Sequence, residues 1–166
     1  MPCCKEEIGL VDLCVVLLQA LQGHSLATAE SCTGGSIGSI ITAIPGSSAV
    51  YKGGVICYSN WVKEHILSID PDLLKQYGPV SLPVAKQMMT GVKNLLQADA
   101  TISVTGLAGP GGDEYGNAVG TVFIGTGFQE KTEVREYHFS GHRESVRSQA
   151  VQAALRQLLD MIRRQS

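Results

Sequence analysis

Ser31 and Cys32 stand side by side in Ala29-Glu30-Ser31-Cys32-Thr33-Gly34-Gly35, and each is a nucleophile of the kind that acyl transfer uses. A short apolar run, Leu26-Ala27-Thr28, precedes them. A run of helical period follows, with Ile37, Ile40, Ile41 and Ile44, so the segment reads as strand, tight turn and helix. Thr33 is the expected N-cap. Gly34 and Gly35 let unpaired amides at the helix start approach a developing negative charge, as an oxyanion site requires. A capped βα turn without chemistry uses the same residues. Cys32 is the rival nucleophile, because a thiolate at a helix N-terminus is activated; a small buried cysteine is the plainer reading.

A base is expected from Tyr58-Ser59-Asn60-Trp61-Val62-Lys63. With Asn60 as cap, Lys63 falls in the first turn of a helix, where the macrodipole disfavours the charged form and pushes its pKa down, as a general base needs. The alternative is a solvated lysine paired with Glu64 or Asp70. Tyr58, at a strand end, relays a proton or holds Lys63, or else packs at the sheet edge with its hydroxyl in water. His24, His65, His138 and His142 have no spacing that suggests a metal site or a serine triad. Ser31 with a lysine base is the more economical pairing.

Two further segments bear on binding. Thr105-Gly106-Leu107-Ala108-Gly109-Pro110-Gly111-Gly112 is a glycine-dense loop after an apolar strand, suited to close approach of backbone to ligand and equally to a long turn. Asp113 and Glu114 beside it make a poor metal site without histidine partners. Arg143 and Arg147 share one face at the start of the last helix. Both oppose the dipole unless an anion such as phosphate sits between them, or Glu144 and solvent neutralise them.

The elements that must position these residues alternate along the chain. Helical periodicity covers Lys5–Gln22, Gly35–Ala43, Asn60–Leu67, Leu82–Gln97 and Arg143–Arg163. Strand-like runs are Leu26–Ala29, Val50–Tyr58, Ala100–Thr105, Gly120–Phe128 and Thr132–Phe139, the last two as a hairpin. This order predicts one domain over residues 1–166, a three-layer α/β/α sandwich with a mixed, mostly parallel sheet. Ser31, Tyr58 and Thr105 then gather at the strand ends where open α/β sheets bind ligands. The chain has 166 residues, 44% of them hydrophobic, and a net charge of −2, which fits an ordinary globule and gives no sign of a nucleic-acid surface. Five cysteines, Cys3 and Cys4 among them, lack metal or disulfide spacing and fit a reducing cytoplasm. The apolar run Ile8–Leu21 contains Asp12, follows Glu6-Glu7 and is too short to span a bilayer, so it reads as an amphipathic helix and not as a leader.

At these segments the chain resembles the CinA C-terminal domain family, from about Thr28 to Leu159. Besides the four stretches above, the likeness rests on Pro45-Gly46-Ser47-Ser48, Gly78-Pro79-Val80-Ser81 and Val119-Gly120-Thr121-Val122, with Arg143 and Arg147 in the last helix. It implies an α/β/α sandwich that hydrolyses the carboxamide of nicotinamide mononucleotide to nicotinic acid mononucleotide and ammonia. The family's catalytic serine, lysine and supporting tyrosine fall on Ser31, Lys63 and Tyr58, and no metal or organic cofactor is implied. Thr33, Gly34, Gly35, Thr105, Gly106, Gly109, Arg143 and Arg147 are the expected substrate contacts. The family also occurs behind a larger nucleotide-processing domain. The residues before Thr28 are too few to hold it, so this domain is expected on its own. Relatives usually carry Lys-Pro where this chain has Asn117-Ala118, and Gly-Asp-Arg where it has Gly141-His142-Arg143. The acidic Asp113-Glu114-Tyr115-Gly116 is also unusual. These changes spare the Ser31, Tyr58 and Lys63 set.

Two other classes use the same residues. One is a non-catalytic module that binds a pyridine nucleotide. The other is a dehydrogenase, since Thr33-Gly34-Gly35-Ser36-Ile37-Gly38 imitates a dinucleotide fingerprint. Against it, Tyr58 and Lys63 are wrongly spaced for one helical face and no acidic residue ends the next strand. A homodimer is the expected assembly.

Overall fold

Strand β1 (Leu26–Glu30) is buried at every position, and β3 (Ala100–Gly106) at all but its last. Strands covered on both faces have no polar side to show, which is why both read as continuous runs. With β2 (Tyr51–Ile56), β4 (Thr121–Phe128) and β5 (Lys131–His138) they form a five-stranded sheet in the order β2-β1-β3-β4-β5. The computed structural model describes residues 9–165. In it β1 runs parallel to β2 and β3, while β4 is antiparallel to β3 and β5. Four strands therefore point one way and β4 alone the other, which makes the sheet mixed and mostly parallel in direction. The pairings themselves divide evenly between the two kinds. Edge strand β2 alternates half-buried and exposed residues, and β5 divides evenly between exposed and half-buried ones.

Helices α1 (Leu10–Ala20), α2 (Ser36–Thr42) and α6 (Arg143–Arg163) cover one face. Leu13, Leu17, Ile37, Ile41, Leu155 and Leu158 pack there on Ile102 and Ile124. Helices α3 (Asn60–His65), α4 (Pro71–Tyr77) and α5 (Leu82–Leu96) cover the other, where Leu74, Val84, Met88 and Val92 close over Ala27 and Ala29. The three layers expected from the element order are present.

Three differences matter. The periodicity predicts no helix where α4 forms, although its start signals are local: Asp70 caps it by accepting from the Asp72 amide at 2.9 Å, and Pro71 opens it. Helix α3 stops at His65, short of Leu67. A 3₁₀ turn at Ser47–Ala49 leads into β2. Lys5–Ile8 of the expected first helix, with Cys3 and Cys4, lie outside the described residues. Among the described residues no helix is long and apolar enough to cross a membrane. The carboxyl ends of β1, β2 and β3 share one edge of the sheet, and Ser31, Tyr58 and the glycine loop emerge there together.

Candidate active site

Lys63 is the anomaly that locates the site. Its side chain is 1% exposed, yet among the described residues no carboxylate lies within ion-pair distance. An unpaired buried ammonium is costly, and the ordinary outcome is a neutral amine. Burial accordingly holds the Lys63 pKa below its ordinary value of 10.5, against a smaller opposing effect of the neighbouring Cys57 and Cys32 thiols. The expected cause was different. Ser59, not Asn60, caps α3, accepting from the Val62 amide at 3.3 Å, and Lys63 lies beyond its first turn. Desolvation and not the macrodipole lowers the pKa, and the solvated pair with Glu64 or Asp70 does not form.

The Lys63 Nζ lies 3.3 Å from Ser31 Oγ, 2.6 Å from the Cys57 carbonyl and 3.5 Å from the Tyr58 carbonyl. A neutral amine has two N–H donors and one lone pair. Protonated, the group donates to all three; deprotonated, its two N–H groups can stay on the carbonyls with the lone pair toward Ser31 Oγ. Nucleophile and base are thus in contact, and burial lowers the Lys63 pKa in the direction that general-base chemistry needs.

The turn that carries Ser31 is built otherwise than expected. Gly35, not Thr33, is the N-cap of α2, and Gly34 and Gly35 have φ of 59° and 96°, a left-handed path that glycine takes without strain. The Thr33 hydroxyl is buried without a partner among the described residues. The amides at the helix start are already engaged. Gly34 N–H donates to the Ser31 carbonyl at 3.0 Å. Gly35 and Ile37 N–H donate to Glu30 Oε2 at 3.1 and 3.0 Å, and Gly38 N–H to Glu30 Oε1 at 2.9 Å. The 2%-exposed Glu30 fills the anion site of α2 with the protein's own carboxylate. Gly34 and Gly35 are therefore not oxyanion donors, and the dinucleotide reading of this turn fails on the same ground. The Cys32 and Thr33 amides remain without an acceptor among the described residues.

Ser31, Cys32, Lys63, Thr105 and the Gly106–Gly109 loop line a cavity of about 230 Å³. Thr105 Oγ1 donates to the Pro79 carbonyl at 2.7 Å and so fixes the far wall. Gly106 allows the loop to pass close to β4: a Cβ there would stand 2.6 Å from Val122 Cγ2. Asn117 donates to the Val80 carbonyl at 2.9 Å and to Asp113 Oδ2 at 2.7 Å. The unusual Asp113 and Asn117 therefore brace the loop from behind. They do not line the cavity, and among the described residues no group of acidic, cysteine or histidine side chains is arranged to hold a metal.

Tyr58 and Arg143 stand at the mouth. Arg143 donates to the Gly109 carbonyl at 2.7 Å and to the Tyr58 hydroxyl at 3.1 Å. Lys63 meets the Tyr58 carbonyl, whereas the ring is 62% exposed, so the tyrosine hydroxyl is held by arginine and not against the lysine. The expected arginine pair is split. Arg147 turns behind the nucleophile, where its Nε donates to the Cys32 carbonyl at 3.0 Å and its Nη2 to the Thr33 carbonyl at 3.2 Å. It lines a separate groove between α2 and α6. The two guanidinium groups thus have different partners and line different cavities. The Cys32 thiol is also no rival: burial first of all pushes its pKa up to about 12. His142 caps α6, accepting from Ser145 N–H at 3.2 Å, and none of the histidines lines the cavity.

Sequence reasoning missed Glu30 and the Cys57 carbonyl. Glu30 had a signal, a lone acidic residue ending an apolar strand just before a helix start. The Cys57 carbonyl had none, because a main-chain acceptor carries no residue type.

The CinA C-terminal domain profile matches residues 10–162. A CinA-like protein of Acidobacterium capsulatum is 44% identical over 87% of this chain, and one of Thermosynechococcus vestitus is 43% identical over 96%. The chain spans little more than a third of these curated relatives, 34% and 38% of their lengths. The crystal structure of a competence-damaged protein (CinA) superfamily protein from Enterobacter cloacae superposes with a TM-score of 0.92 at 33% identity, covering 95% of both chains. That from Escherichia coli superposes at 0.90 and 35% identity, covering 92% of this chain and 90% of the other. With its nucleophile turn, buried lysine and glycine loop all falling inside the matched span, the chain belongs to the CinA C-terminal domain family.

Proposed function

We infer that this domain is an amidase of the nicotinamide-nucleotide type, hydrolysing the carboxamide of nicotinamide mononucleotide to nicotinic acid mononucleotide and ammonia. The observation that carries this reading is the buried, carboxylate-free Lys63 in contact with Ser31 Oγ. Neutral Lys63 accepts the Ser31 proton as Oγ attacks the carboxamide carbon. Main-chain amides beside the nucleophile receive the oxyanion, each such donor contributing ~3 kcal/mol to the barrier reduction. The ammonium of Lys63 then gives its proton to the departing nitrogen, which leaves as ammonia and a serine ester. Water, deprotonated by Lys63, attacks the ester, and the acid is released with Ser31 reprotonated. The cavity of about 230 Å³ is small for a ligand site, which suits the pyridine ring and its amide. The ribose and phosphate extend to the mouth, where Arg143 offers the cation and Tyr58 orients it. Thr105, Gly106 and Gly109 shape the wall against the ring.

The test is ammonia release from nicotinamide mononucleotide by wild type, Ser31→Ala and Lys63→Ala, with free nicotinamide as control substrate. Turnover of the mononucleotide alone, lost in both variants, is the expected result. A folded wild type that releases no ammonia refutes the reading and favours a nucleotide-binding module.

A further inference from the structure

The carbonyls of the nucleophile turn all point into bonds, and only one side chain makes two of those bonds. Ser31 C=O accepts from Gly34 N–H at 3.0 Å. The carbonyls of Cys32 and Thr33 accept from Arg147 on α6, and its Nη2 also reaches Ser36 Oγ at 3.4 Å. A trans peptide is planar, so each N–H points opposite to the carbonyl of the residue before it. Fixing Cys32 C=O on Arg147 therefore turns Thr33 N–H away from Arg147. Fixing Ser31 C=O on Gly34 does the same for Cys32 N–H, and Cys32 lines the Ser31 cavity. These two amides are the ones left without an acceptor once Glu30 has taken those of Gly35, Ile37 and Gly38. Without the guanidinium, the Cys32 carbonyl has no partner among the described residues, while the Thr33 carbonyl keeps only the Ser36 amide at 3.0 Å. A carbonyl swung toward Ser31 would present negative charge where the oxyanion forms.

The geometry points to Arg147 as a positioning residue that, by holding the Cys32 carbonyl and bracing that of Thr33, keeps the nucleophile turn in the shape in which the Cys32 amide, beside the cavity, is the oxyanion donor for attack by Ser31. It touches no substrate and acts through the turn. The inference rests on Ser31 being the nucleophile of the proposed amidase.

The groove between α2 and α6, about 360 Å³ and lined by Ser36, Arg147 and Ser148, opens behind the same turn. It supplies a route for an added guanidinium ion to replace the missing side chain. The experiment compares wild type, Arg147→Ala and Arg147→Lys in two assays. One is ammonia release from nicotinamide mononucleotide; the other is the rate at which a fluorophosphonate labels Ser31, read by mass spectrometry. Arg147→Ala is expected to lower kcat roughly 10²- to 10³-fold, the loss of one oxyanion donor, with KM changed less than about threefold. It slows labelling in parallel. Guanidinium chloride at non-denaturing concentration restores part of both rates where sodium chloride does not, and Arg147→Lys is intermediate. A purely structural arginine would show a lowered melting temperature without ion-specific rescue. Full kcat in Arg147→Ala, a loss confined to KM, or no rescue by guanidinium overturns the assignment. If wild type labels at Ser31 yet releases no ammonia, the substrate reading fails, and the labelling rates still decide the role of Arg147.

Discussion

Glu30→Gln is the substitution whose cost the structure lets one work out. The carboxylate accepts from Gly35 and Ile37 through Oε2 and from Gly38 through Oε1. Glutamine keeps one acceptor oxygen. In its better orientation that oxygen serves Gly35 and Ile37, while the side-chain NH₂ faces the Gly38 N–H. Exchanging a charged for a neutral acceptor costs about 1 kcal/mol in each retained bond, and the orphaned donor about 1–3 kcal/mol. Removing negative charge from the N-terminus of α2 adds about 0.3–1 kcal/mol. The total, about 3–6 kcal/mol, is a large part of the ~5–15 kcal/mol that stabilises a domain. Urea unfolding followed by far-UV circular dichroism should show the midpoint falling by at least ~1 M, since slopes are about 1–3 kcal/mol per molar. A Glu30→Gln midpoint within about 0.3 M of wild type would refute the argument, because the three amides would then not depend on the carboxylate.

Further outcomes follow from the same site. Lys63 titrates near 10.5 when unfolded and below that when folded. The folded state is therefore penalised at neutral pH, and the penalty disappears as pH rises toward 10.5. Lys63→Met should be inactive yet more stable at pH 7, by about 1.4 kcal/mol for each pH unit between the two values, with no advantage near pH 10.5. Chemical unfolding at both pH values measures it; equal stability at pH 7 would count against a depressed pKa. The kcat/KM of wild type should rise with pH on a limb whose midpoint lies below 10.5, read with the mononucleotide at saturating and subsaturating concentrations. Cys32→Ala should retain activity within about threefold, since a thiol pushed up to about 12 supplies no thiolate; its loss alongside a functional Ser31→Ala would reverse the nucleophile. Tyr58→Phe should raise KM more than it lowers kcat if the hydroxyl serves through Arg143, and a dominant kcat loss would place it in proton transfer.

Sequence and structure agree where local pattern carries the information. The β1 strand, its glycine turn and the α2 helix are contiguous, and α6 begins and ends where its periodicity does. Lys63 is legible as a base for the wrong reason, because helix position can be read from spacing whereas burial depends on Ser31, Cys57 and the cavity wall from distant segments gathering around it. The arginines were legible as a pair on one helical face. Their separation became visible only with the partners, the Gly109 carbonyl for Arg143 and the Cys32 and Thr33 carbonyls for Arg147. Main-chain acceptors leave no mark in composition. Asn117 stands where relatives usually carry lysine, and its place behind the cavity wall follows from a bond to Val80 across 37 residues.

The register of β1 has a consequence for how the chain is made. Its pairing with β2 closes within the first 56 residues, whereas its other edge waits for β3, joined to it by a Ser25–Asp99 bond across 74 residues. During synthesis Ser31 and Lys63 emerge early, but the strand beneath them carries an open apolar edge until residue 106 has left the ribosome. A chain halted in that interval is the species most exposed to association with its own copies, and such non-local closure also sets a slow limit on folding. Protection of the β1 amides in nascent chains of increasing length would therefore appear late, in one step, as β3 docks.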